Sequence, residues 1–164
     1  MTNRYNTIPA LPEETSAANV ISRMLSGIGF RFYWATDGLT DEVYSYQPGK
    51  GVWSIEQIVE HIWVLLNWIY KSFDPAGLEK PSGAKAWRDG SLERVELLEK
   101  SFSNMSDEEL ISLQILKQPF WLMINGPLAD ALTHVGQISS IRRMAGSPAP
   151  KSNSFRGTPP IEKH

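Results

Sequence analysis

The stretch GVWSIEQIVEHIWVLLNWIY, Gly51 to Tyr70, constrains the fold more than any other part of the chain. Ser54 followed by Gln57 matches a capping box, in which the hydroxyl accepts the N3 amide and the Gln side chain returns to the cap amide; Trp53 and Ile58 occupy the flanking staple positions. A helix is expected from Ser54 to about Ser72, stopped by Asp74, Pro75 and Gly77. At about 100° per residue, His61 shares its face with Ile58, Ile62, Val64, Leu65 and Trp68, while Glu56, Glu60, Trp63, Asn67 and Tyr70 fall opposite. His61 is therefore expected to point inward. Burial disfavours a charged imidazole, and both ring nitrogens need partners, so the ring should be hydrogen-bonded or bound to a metal. A backbone carbonyl or a Tyr hydroxyl would serve as well as a cation.

Three more long helical segments follow from the same periodicity, and no alternating strand pattern stands out. About Glu14 to Thr36 carries Ile21, Leu25, Ile28, Phe32 and Ala35 at spacings of three and four, with a stop near Gly38. About Ser91 to Met105 places Leu92, Val95, Leu98 and Phe102 inward and Glu93, Glu96 and Lys100 outward. Ser106 with Glu109 offers a second capping box and a short helix through Leu113. The last long helix is expected after NGP, with Asn125 or Gly126 as cap and Pro127 at N1, ending near Ala145 and Gly146. The fold class is all-α, and four long helices is the count of a four-helix bundle. The links between them are long enough to run back along the helices, so crossover topologies stay open.

At 164 residues the chain is most economically one domain, 1–164, with an irregular Pro-, Gly- and Ser-rich tail from about 146 that Phe155 would pack over one end. There is no cysteine, which excludes disulfides, thiolate zinc sites and a protein thiol nucleophile. A formal charge of −2 without a long basic run gives no reason to expect nucleic-acid binding. The first residues lack a signal-peptide pattern and Ile62 to Tyr70 is too short to span a bilayer, so the expectation is a cytoplasmic protein with no membrane partner.

The segment PLADALTHVGQISSIRRMAG supplies partners for His61. Asp130 and His134, four residues apart, lie one above the other on a helix face, and Gln137 continues that stripe. A helical i, i+4 pair plus a histidine from a facing helix gives a divalent cation three converging ligands and leaves positions open, the arrangement of a reactive rather than a structural site. Each residue also has a plain role. Asp130 suits the first turn of a helix through the macrodipole, His134 can hydrogen-bond across helices, and Gln137 can be a solvated edge residue. Two of the three histidines nonetheless fall on inward faces of different helices; the third is the terminal His164.

FRFYWATDGL closing the first helix, GVWSIEQIVEHIW opening the second and GPLADALTHVGQISSIRRMAGSPAP in the last resemble the DinB/YfiT-like superfamily of helical metalloenzymes, in order and spacing over nearly the whole chain. The resemblance implies a four-helix bundle with unusual, long crossover connections, frequently a homodimer. It also implies a metal held by a histidine on the second long helix and a HxxxH pair on the fourth. His61 matches the first ligand and His134 the last; Asp130 stands where many members have the first histidine of HxxxH. The implied cofactor is a divalent metal such as zinc, nickel, iron or manganese.

These readings together lead to a metal-dependent enzyme, with His61, Asp130 and His134 as ligands and Gln137 orienting one of them. The substrate would be a small molecule: hydrolysis if water is activated, transfer to an electrophile if a low-molecular-weight thiol is. The rival expectation is a metal-free bundle acting as a binding or dimerisation module. It rests on Trp63 and Tyr70, large aromatics on an otherwise polar face. Arg142 and Arg143 could meet an acidic substrate, although cations are expected at a helix C-terminus in any case.

Overall fold

The computed structural model describes residues 4–76 and 79–161, so the stop expected at Gly77 and the terminal His164 lie outside the described residues. The chain is mostly helical: α1 (Ala17–Thr36), α2 (Asp41–Ser45), α3 (Ile55–Tyr70), α4 (Ala84–Phe102), α5 (Asp107–Ser112), a minimal hairpin of β1 (Gln114–Ile115) and β2 (Gln118–Pro119), the single turn α6 (Trp121–Met123) and α7 (Ala129–Met144). The all-α class expected from periodicity is what the chain adopts. Among the described residues no helix is long and apolar enough to cross a membrane.

Helix ends fall where a side chain fixes them. Ser54 and Gln57 make both bonds of the capping box, and so do Ser106 and Glu109. α1 starts at Ala17, later than expected, because Ser16 takes the cap and its hydroxyl accepts from the Asn19 amide. α4 starts at Ala84, well before the expected Ser91. Its cap is Gly83, which has no side chain and leaves no capping signal to read. The expected Asn125 or Gly126 cap of the last helix is not used. The chain is already helical at Trp121, widens into a π-type turn over Ile124–Leu128 with a break at Gly126 (φ −93°, ψ −111°), and only then enters α7. Pro127 lacks the N–H that a regular ladder would require.

α4 packs against α1 and α3, and α7 packs against the same two. The four long helices therefore alternate around one core in the order α1, α4, α3, α7. The links from α1 to α3 and from α4 to α7 join helices that are not neighbours, which is why both are long. Leu25, Phe32, Ile62, Leu98 and Ile138 belong to one contiguous set of buried apolar side chains. Each such burial is worth about 1.5–3 kcal/mol relative to exposure.

Lying between α4 and α7, α3 is apolar over more of its circumference than a single face. The side expected to be polar is covered by α4: Trp63 and Asn67 are buried, the Arg94 guanidinium lies over the Trp63 and Tyr70 rings, and its Nε donates to Asn67 Oδ1 (3.3 Å). Trp63 comes so close to α4 that a methyl group on Gly90 would stand 3.0 Å from the indole nitrogen. Trp63 and Tyr70 are thus packing residues, not an exposed pair. Trp68, expected inward beside His61, is 40% exposed instead.

The tail is irregular as expected, but Phe155 is 96% exposed and packs over nothing. The anchor is Gly157, whose carbonyl accepts from the Ile8 amide (2.9 Å) and whose φ of +69° admits a residue without Cβ next to the Ile8 side chain. Arg142 is buried: its Nε donates to the Ser147 carbonyl (2.6 Å) and one terminal nitrogen to the Ala35 carbonyl (2.9 Å), joining the ends of α1 and α7 to the tail. It holds the fold and does not face a ligand.

Candidate metal centre

The contact between α3 and α7 brings His61, Asp130 and His134 to one point. His61 is presented from the second turn of α3, whose register the Ser54 box fixes. Asp130 and His134 come from successive turns of α7, just after the π-type turn that sets where that helix begins. His61 Nε2 lies 3.2 Å from Asp130 Oδ2, and His134 Nε2 lies 3.4 Å from Asp130 Oδ1. One donor atom from each residue falls within 4.8 Å of the others. A tetrahedral cation about 2.1 Å from nitrogen and oxygen donors sets them about 3.4 Å apart; the two imidazoles reach that range against different carboxylate oxygens, His61 Nε2 against Oδ2 and His134 Nε2 against Oδ1. Two imidazoles and one carboxylate are a donor set that zinc, nickel, iron or manganese accepts.

The surroundings hold the donors in place while leaving the carboxylate reachable. His134 is the most enclosed, with its side chain 11% exposed, followed by His61 at 28% and Asp130 at 47%. The His134 Nδ1–H donates to Gln137 Oε1 (2.8 Å), and Nε2 lies on the cluster side, 3.4 Å from Asp130 Oδ1. Trp53 lies parallel to the His134 ring (15°, centroids 5.6 Å apart) and meets His61 edge-on (5.2 Å). The two imidazoles meet at 79° with centroids 4.8 Å apart.

The structure therefore brings together all three residues that the sequence offered as ligands, with Gln137 beside them. Trp53 carries more than the staple position gave it, because it walls both imidazoles. Its place immediately before the cap, two turns ahead of His61, was the signal in the sequence. Two clefts reach the cluster. One, of about 860 Å³, is bordered by His134 and Trp53; the other, of about 450 Å³, is bordered by Asp130 and Trp68. Arg143 lines a third cleft on a different side of α7, away from the triad.

Comparison of the chain with protein-family models, with curated proteins and with solved structures finds no match.

Proposed function

We propose that the protein is a metal-dependent enzyme of the DinB-like type, a four-helix bundle in which His61, Asp130 and His134 hold one divalent cation. The observation that carries this reading is the convergence of three donor groups from two helices, with one donor atom of each within 4.8 Å of the others. A divalent cation held there supplies Lewis acidity, which makes a nucleophile of water or of a small thiol at neutral pH in a chain without cysteine.

The protein's own contribution is positioning and exclusion of water. Gln137 fixes the orientation and tautomer of His134. Trp53 shields both imidazoles on one flank, while the half-exposed Asp130 leaves the opposite flank accessible. Hydrolysis and transfer from a low-molecular-weight thiol both match this arrangement. The metal-free module loses its main support, because the Trp63 and Tyr70 pair is covered by α4.

Metal analysis of protein purified without chelator is the test. The wild-type chain should carry a divalent metal that His61→Ala loses while keeping its melting temperature in the metal-free state. A stoichiometry near zero in both overturns the reading. Turnover that requires added thiol assigns transfer; ester cleavage independent of thiol assigns hydrolysis.

A further inference from the structure

The cleft of about 860 Å³ beside His134 differs in chemistry from the other spaces around α7. None of its lining residues is Asp, Glu, Lys or Arg. Its walls include Ile58 and Ile141, and its rim carries Val52, Trp53 and Met144, large apolar side chains that are 42%, 44% and 64% exposed. Such a concave apolar surface loses hydration cost when an apolar body fills it, and the volume matches a small molecule.

The polar groups in the cleft are mostly engaged already. The Thr133 hydroxyl donates to the Ala129 carbonyl (2.9 Å), and the Ser140 hydroxyl donates to the Gly136 carbonyl (3.2 Å). The Gln137 oxygen accepts from His134, so the Gln137 amide –NH2 is a side-chain donor left for a ligand, beside the Trp53 indole N–H. Away from the triad, an anion seated there would meet apolar walls and no Lys or Arg side chain. The contrast lies across α7. The neighbouring cleft of about 580 Å³, which shares Gly136 with this one, is lined by Arg31, Arg143 and Lys151 and by no carboxylate.

We propose that the cleft beside His134 receives the uncharged apolar or aromatic body of the substrate, with one carbonyl-type acceptor meeting the Gln137 amide and the reacting group directed at the triad. The assignment rests on the metal-centre reading and narrows it: the body held in this cleft is that of the electrophile or ester.

Two probes with the same aromatic body separate charge from shape. N-phenyl-1-naphthylamine is neutral, and 1-anilinonaphthalene-8-sulfonate adds one sulfonate. Fluorescence titration of the wild-type chain should show the neutral probe binding at least about tenfold more tightly. Met144→Asp, at an exposed rim position, should weaken the neutral probe by about fivefold or more while melting temperature and metal content stay unchanged. Equal affinity for the two probes, or an unchanged neutral-probe affinity in Met144→Asp, overturns the cleft assignment. Metal content measured on the same samples keeps the two readings apart, since a metal-loaded protein that fails the probe test loses only this inference.

Discussion

Two clusters of polar side chains sit between helices in this molecule, and they differ in what they leave free. In the first, Glu99 on α4 is enclosed, with only 7% of its side chain exposed. One carboxylate oxygen accepts from Ser26 (2.5 Å), and the other accepts from Arg4 (2.6 Å) and Tyr5 (3.2 Å). Burial raises the pKa of both Glu99 and Tyr5. Both carboxylate oxygens are engaged, and the cluster ties the turn at Arg4–Asn6 to α1 and α4. In the second, His61, Asp130 and His134 set donor atoms within 4.8 Å of one another at the edge of two clefts, and among the described residues no Lys or Arg lines either cleft. The first cluster is closed by its own bonds; the second keeps a His61–Asp130 hydrogen bond (3.2 Å) yet leaves its carboxylate half exposed, where a ligand can reach it.

The largest effect expected from this contrast is at Glu99. Glu99→Ala strands the Ser26 and Tyr5 hydroxyls in the interior and should cost about 2–4 kcal/mol in urea unfolding, since each buried group left unsatisfied costs about 1–3 kcal/mol. Metal content should not change. If Glu99→Ala also emptied the metal site, the two clusters would not be separable.

Gln137→Ala tests the opposite case. Removal of the partner that orients His134 should weaken metal affinity by about 10–100-fold, with little change in the melting temperature of the metal-free chain.

The pH dependence of stability sharpens the same point. The folded-state pKa of Glu99 is raised above the ordinary 4.5, chiefly by burial. Its contribution to stability is therefore fully present below that ordinary value and is lost as pH rises through the raised one. Urea midpoints measured from pH 4 upward should fall for the wild type relative to Glu99→Gln. A wild-type midpoint that rose relative to Glu99→Gln with pH would reverse the sign and contradict the burial argument.

The smallest effect is expected at Asp130. In chelator-treated protein Asp130→Asn should change stability by about 0.5 kcal/mol or less, because a half-exposed carboxylate beside two imidazoles contributes as a surface pair does. A large loss there would make Asp130 a structural residue like Glu99.

Much of the arrangement is written locally, and what is not written locally was misjudged. The Ser54 and Ser106 boxes fix their helices because a cap is a bond between neighbours in sequence. The i, i+4 spacing of Asp130 and His134 needs only the helical period. Trp63 and Trp68 exchanged places relative to expectation because α3 is flanked on two sides, and a wheel centred on His61 cannot know where α4 lies. The early start of α4 had no side-chain cap to announce it, and the two-residue strands of the hairpin are too short to show a period. Nothing in the local pattern singles out Arg94 or Glu99, yet they are buried against partners more than twenty residues away. The cleft beside His134 draws on the 48–53 segment and on α7, which no local pattern connects.

The central claim is that His61, Asp130 and His134 grip one cation. Equilibrium titration of the metal-free chain with Zn²⁺ tests it most directly, run in parallel on His61→Ala, Asp130→Ala and His134→Ala. The wild type should bind one equivalent, and each variant should lose at least about 100-fold in affinity as one ligand of three is removed. Absence of binding in the wild type, or binding in all three variants as tight as in the wild type, would contradict it.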